Sequence, residues 1–157
     1  MTALFKASRL EEAKTVLTIA GLCVDLKSAA GSRRVLDDVS LTIRQGETVC
    51  LVGESGSGKS LTSLAVMGLL PKGVLRPAAG SIVMDGRNLL ELSPREVRDM
   101  RGRRISMIFQ EPMTALNPVM RVGDQIMEVL VAHGGRSRAE MRRRVLEVMT
   151  QVRLPDV

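Results

Sequence analysis

Residues 48–60 read TVCLVGESGSGKS, and residues 61–70 continue as LTSLAVMGLL. The first five residues form a short apolar run, the kind of strand buried when both faces of a sheet are covered. Beyond the glycine- and serine-rich loop, Leu61, Leu64, Ala65 and Gly68 recur at helical spacing, and Pro71 and Gly73 end the helix. A strand that runs through such a loop into a helix predicts an α/β fold. The loop fits G-x-x-x-x-G-K-[ST], with Gly53, Gly58, Lys59 and Ser60 at the fixed positions.

Phosphate chemistry requires these residue types. Successive backbone N–H groups across Gly53, Glu54, Ser55, Gly56, Ser57 and Gly58 must turn inward around an anion. Glycine permits both the φ angles and the close approach this needs. A helix starting near Gly58 aims its positive end and the free amides of its first turn, as far as Leu61, at the same anion. Lys59 supplies charge for the β/γ oxygens of a bound nucleotide, and the Ser60 hydroxyl is a ligand for Mg²⁺.

The apolar fraction, 45% of 157 residues, suffices for one core. Aromatic residues are limited to Phe5 and Phe109. That leaves Val, Leu, Ile and Met to fill the core, and it argues against a surface that reads single-stranded nucleic acid by stacking. The net charge of +6 comes largely from arginines in residues 95–104 and 136–144. Each cluster alone reads as a solvated helix face, although anionic partners attract the same pattern. The apolar stretch 61–70 falls short of the ~20 residues that span a bilayer. Acidic residues stand where a signal peptide would carry its apolar segment, which predicts a protein made and kept in the cytosol. Cys23 and Cys50 lie in strand-like runs without metal-ligand spacing and are expected to be buried, reduced and inert.

Alternation predicts strands at residues 15–26 and 35–43, joined by a turn in SAAGSRR. A tight RQGE turn then leads into 48–52. GSIVMDG (80–86) reads as a strand closed by an Asp-Gly turn, SPRE (93–96) as a capping box opening a helix, and RISMIFQ (104–110) as another buried strand. A helix over about 122–132 has the stripe Val122, Ile126, Val129 and Leu130. A second begins at the capping box SRAE (137–140), with Met141, Val145, Val148 and Val152 on one face.

VGESGSGKS, SIVMDGRNL and ISMIFQEPMTALNP together resemble an ATP-binding cassette (ABC) subunit of the oligopeptide, dipeptide and glutathione importer type. The resemblance runs from about Val16 to the last residue, and the terminal QVRLPDV shares it. It implies a P-loop NTPase-like core with an antiparallel β subdomain and the start of a helical subdomain, within an incomplete ATPase domain. Residues 1–14 would be an extension, 15–110 the nucleotide-binding core, and 111–157 the glutamine-loop segment and beginning of the helical subdomain.

Carried onto this sequence, the resemblance makes residues 53–60 the Walker A loop for ATP and Mg²⁺. Gln110, ending a strand, becomes the catalytic glutamine whose amide reaches Mg²⁺ and the attacking water, a task suited to a neutral carboxamide. By itself Gln110 reads as a surface amide. The loop 111–120, with Met113, Leu116 and Met120 as exposed apolar contacts, would dock on the permease. The residues alone allow an inward-packed Met-rich loop equally well. The resemblance further implies a head-to-tail pair with a second ATPase subunit, a peripheral place on the cytoplasmic side of the plasma membrane, and no nucleic-acid partner.

The sequence departs from the family pattern in two respects. The aromatic that stacks on adenine is replaced, by alignment, with Leu26, so that Leu26 or Val24 would offer only apolar contact. There is also no signature motif and no apolar run ending in Asp-Glu, and His133, the one histidine, reads as a helix-end surface or capping residue. The expectation is the N-terminal part of a longer subunit, able to bind nucleotide but poor at hydrolysis as it stands. The alternatives are a non-hydrolysing regulatory or vestigial nucleotide-binding module, and a nucleic-acid-associated ABC ATPase.

Overall fold

The computed structural model describes residues 13–28, 31–110, 116–134 and 137–154. Two compact units divide the chain, Met1–Arg98 and Asp99–Val157. The first is organised by an antiparallel sheet of strands β1 (Thr15–Ser28), β2 (Gly31–Arg44), β3 (Leu75–Met84) and β4 (Arg87–Asn88), in the order β2-β1-β3-β4. Alternation placed β1 and β2 correctly. Both extend into the segment expected to be a turn, with Ser28 paired to Gly31.

Central position in the sheet gives β1 the deepest side chains, Leu22 and Val24, which pack with Ile82 of β3 as the largest fully buried residues. Bulges interrupt its ladders. Ala20 and Gly21 together oppose Ser40, whose hydroxyl accepts the Gly21 N–H at 2.9 Å. On the other side Gly80 opposes the same kink with φ +85°, and a Cβ there would fall 2.3 Å from the Gly21 carbonyl oxygen. Only glycine fits that approach.

Asp85 and Gly86, at φ 50° and 76°, make the two-residue turn expected between β3 and β4. Asn88 then accepts the Leu90 N–H to start a 3₁₀ turn, Leu89–Glu91. Helix α1 is Lys59–Val66 and α2 is Pro94–Met100. The capping box before α2 forms as expected: Ser93 N–H donates to Glu96 Oε2 at 2.9 Å, and Glu96 N–H to Ser93 Oγ at 3.4 Å.

In the second unit, α3 (Val122–His133) packs against α4 (Arg138–Gln151). Gly123 of α3 faces Val145 and Met149 of α4, and Val145 is buried. Ser137 and Glu140 complete the second capping box. Val129 and Val152, expected on the apolar faces of these helices, are instead mostly exposed. His133 has the helix-end place foreseen for it. Its Nδ1 accepts Arg103 Nε–H at 3.0 Å, and its carbonyl accepts from the same guanidinium.

Two expected strands do not form. Residues 48–52 and 106–109 carry no ladder among the described residues, and Ile105 makes only an isolated bridge to Arg101. Their side chains face solvent, with Val52 89% and Ile108 95% exposed. A strand is stable only when a neighbour takes its amides and carbonyls, and none of the described strands pairs with these runs. For the same reason Cys50 is exposed rather than buried, whereas Cys23, inside β1, is buried as expected.

Candidate nucleotide-binding site

The loop at residues 53–58 is shaped by its own backbone. Ser57 N–H donates to the Glu54 carbonyl at 3.2 Å, and Gly56 and Gly58 take φ of 82° and 93°. Gly58 is the N-cap of α1 and brings no side-chain cap, so no cap side chain takes the first-turn amides of the helix. Helix α1 is anchored from its buried side. Thr62, itself buried, returns both its N–H (2.8 Å) and its hydroxyl (3.0 Å) to the Gly58 carbonyl. A Cβ on Gly58 would lie 2.3 Å from Leu36 Cδ2. Leu36 is the β2 partner of Val24, so the sheet core presses directly on the cap of the helix.

Lys59 folds back across the loop. Its Nζ donates to the carbonyls of Gly53 (2.7 Å) and Glu54 (2.6 Å) and to Ser57 Oγ (3.2 Å). A positive charge thus sits within a ring of backbone at the N-terminus of a helix, the charge arrangement that attracts a phosphate chain. Ser60 is exposed on the first turn of α1. Leu61 follows, half-buried. The donor set fits a nucleotide phosphate tail with a hard cation: backbone amides, an ammonium and a hydroxyl with space around it.

Leu26 is half-buried on β1, between Arg33 and Leu75. Val24, the alternative, has no exposed surface and cannot touch a base, because it is a central core residue. Gln110 is an exposed bend residue of the second unit and does not end a strand, since residues 106–109 are unpaired. Within the expected partner loop, Leu116 is 51% exposed while Met120 is half-buried. Residues 111–115, including Met113, lie outside the described residues.

Sequence reasoning missed Leu36, Thr62 and an ion-pair network on the sheet. Arg34 bonds Asp25 at 2.6 Å and Asp37 at 2.9 Å, and these hydrogen bonds raise its already high pKa. Thr62 was legible as a hydroxyl four residues after the cap, whereas the contact of Leu36 with Gly58 joins distant segments and leaves no local trace. Beside α2, the Ser93 backbone and side-chain hydrogen bonds, then Arg87, hold the Glu96 carboxyl below the usual range.

A family model described as ABC transporter matches residues 36–157. The chain is 49% identical over 123 residues to a probable peptide ABC transporter ATP-binding protein of Sinorhizobium fredii, covering 78% of this chain and 37% of that protein. It is 46% identical over 142 residues to the dipeptide transport ATP-binding protein DppD of Lactococcus lactis subsp. cremoris, covering 90% and 40%. Among solved structures, dimeric MJ0796, a bacterial ABC transporter cassette, aligns with TM-score 0.74 at 25% identity, over 89% of this chain and 58% of that one. The chain therefore spans about two fifths of the length of these two curated relatives.

Proposed function

Because the chain belongs to the ABC transporter family, we propose that it forms the nucleotide-binding part of an ATP-binding subunit that powers uptake of peptides or a similar small solute. The observation that carries this is the Lys59-centred loop at the uncapped start of α1. The peptide class rests on what the named relatives transport.

Residues 53–58 would wrap the β-phosphate with backbone N–H groups. Lys59 would exchange its contacts with the Gly53 and Glu54 carbonyls for phosphate oxygens, keeping its charge paired throughout. The Ser60 hydroxyl would hold Mg²⁺, and Leu26 would offer the base an apolar surface. Mg²⁺ held there would supply positive charge to offset what develops on the phosphate oxygens. Gln110 would contribute a neutral amide to the metal and the attacking water in the assembled subunit. Hydrolysis further needs a carboxylate to orient water, and no apolar run ending in Asp-Glu occurs in these residues.

Among the described residues no helix is long and apolar enough to cross a membrane. In this reading a permease is contacted by the loop 111–120 from the cytoplasmic side, and a second ATPase subunit completes a head-to-tail pair.

Titration with a fluorescent ATP analogue and Mg²⁺ tests the site. Lys59→Ala should weaken binding by about tenfold to a hundredfold, the equivalent of ~1.4–2.7 kcal/mol. Equal affinity in the two proteins, with unchanged circular dichroism, removes the phosphate-cradle assignment.

A further inference from the structure

A nucleotide seated by its phosphates at residues 53–58 still has a base to place, and β2 leads away from that seat. Leu36 of β2 lies against Gly58, the cap of α1. A bulge then decides which side chains follow on the same face. Val24 of β1 pairs with Leu36, while Asp25, the next residue, pairs with Arg34, so Val35 is an extra residue in β2. Beyond it Arg33 stands opposite Leu26. Val24 and Leu26, two positions apart, share one face of the sheet, and directly opposed partners share a face as well. Leu36 and Arg33 are therefore on the same side although three positions separate them, and an unbulged strand would send Arg33 to the other side. Two steps of the ladder, at about 3.4 Å each, put Arg33 roughly 7 Å along the strand from Leu36. An α-phosphate and a ribose span such a gap.

The surface at that point is a flat cation beside two leucines. Leu26 and its other partner, Leu75 of β3, are half-buried, and Arg33 is exposed. Arg34, its neighbour, is spent on Asp25 and Asp37. Among the described residues no carboxylate pairs with Arg33. A guanidinium is planar and weakly hydrated, and it stacks on the face of a base where an ammonium does not. The chain holds no Trp and no Tyr, and none of the described residues of the first unit is aromatic. We infer that Arg33 is the residue that takes the nucleobase: its guanidinium stacks on the base above an apolar floor of Leu26 and Leu75. This role requires the phosphate seat proposed above, whereas the place of Arg33 beside Leu26 follows from the strand register alone.

Calorimetric titration of the full-length subunit tests this with two ligands, ATP–Mg²⁺ and tripolyphosphate–Mg²⁺, which has the phosphates without a base. Arg33→Ala should weaken ATP–Mg²⁺ binding about tenfold and leave tripolyphosphate–Mg²⁺ within about twofold. Arg33→Lys keeps the charge but loses the plane, and it should fall nearly as far. Arg33→Trp restores a flat face and should return ATP–Mg²⁺ affinity to the parental value or above it. Lys59→Ala should weaken both ligands. An equal loss of both ligands in Arg33→Ala, with Arg33→Lys at parental affinity, makes Arg33 a charge for the phosphates and overturns the stacking role. Parental ATP–Mg²⁺ affinity in Arg33→Ala overturns it as well. Should the parent bind neither ligand, or Lys59→Ala bind both as the parent does, the phosphate seat itself is refuted and this proposal falls with it.

Discussion

Replacing Gly58 with alanine places a Cβ 2.3 Å from Leu36 Cδ2 and asks an L-residue to hold φ +93°. The left-handed conformation costs roughly 1–2 kcal/mol for a residue with a Cβ. Leu36 is only 3% exposed, so its side chain has no free space into which to retreat. Pushing it off its rotamer adds roughly 0.5–1.5 kcal/mol. The sum, about 1.5–3.5 kcal/mol, shifts a urea midpoint by roughly 1 M at a typical slope. If the proposed nucleotide site is right, affinity should fall as well, since Gly58 is the cap from which α1 starts. A double-mutant cycle separates the two costs. Leu36→Ala alone should cost about 2–5 kcal/mol as a buried truncation. In that background Gly58→Ala loses its clash and retains only its backbone strain, giving a coupling of about 0.5–1.5 kcal/mol. Urea denaturation followed by circular dichroism on the four proteins measures it. Additivity within ~0.3 kcal/mol would refute the claim that the sheet core presses on the helix cap.

Gln110→Ala should leave ATP–Mg²⁺ affinity within about twofold, because one neutral amide adds little to a cradle built from backbone donors, yet lower turnover in the full-length subunit by about tenfold or more. Hydrolysis at the parental rate removes Gln110 from the chemistry. For Glu96 the folded carboxyl titrates below its unfolded counterpart, so its stabilisation is complete above the unfolded value and is lost as pH falls through the folded one. Glu96→Gln should therefore be less stable than the parent near neutrality and converge with it in acid. Urea midpoints taken from about pH 7 down past the usual carboxylate range near ~4.3 check this, and a gap constant with pH would contradict it.

Where local chemistry decides conformation, the sequence was sufficient. Capping boxes at Ser93 and Ser137, the Asp85-Gly86 turn and the alternation of β1 and β2 each appear in the structure where the residues place them. The shape of the glycine loop at residues 53–58 belongs to this class, because glycines at 56 and 58 supply its positive φ angles just before a helix. In each instance the interacting groups are a few positions apart, so composition and spacing carry the information. Tertiary structure decided everything that depends on a distant neighbour. Residues 48–52 and 106–109 read as buried strands yet lie unpaired, since apolar β-branched runs record a preference for burial but do not supply the strand that would bury them. Leu36 against Gly58, a sheet residue on a helix cap, and Gly80 against the Gly21 carbonyl, across the sheet, likewise join segments far apart in the chain. The amide of Gln125 had no visible role in its own helix, because its partners are backbone groups that only the folded turn brings within reach. A pattern repeated along the chain reveals which face of an element is apolar, whereas the identity of what covers that face is fixed by geometry in three dimensions.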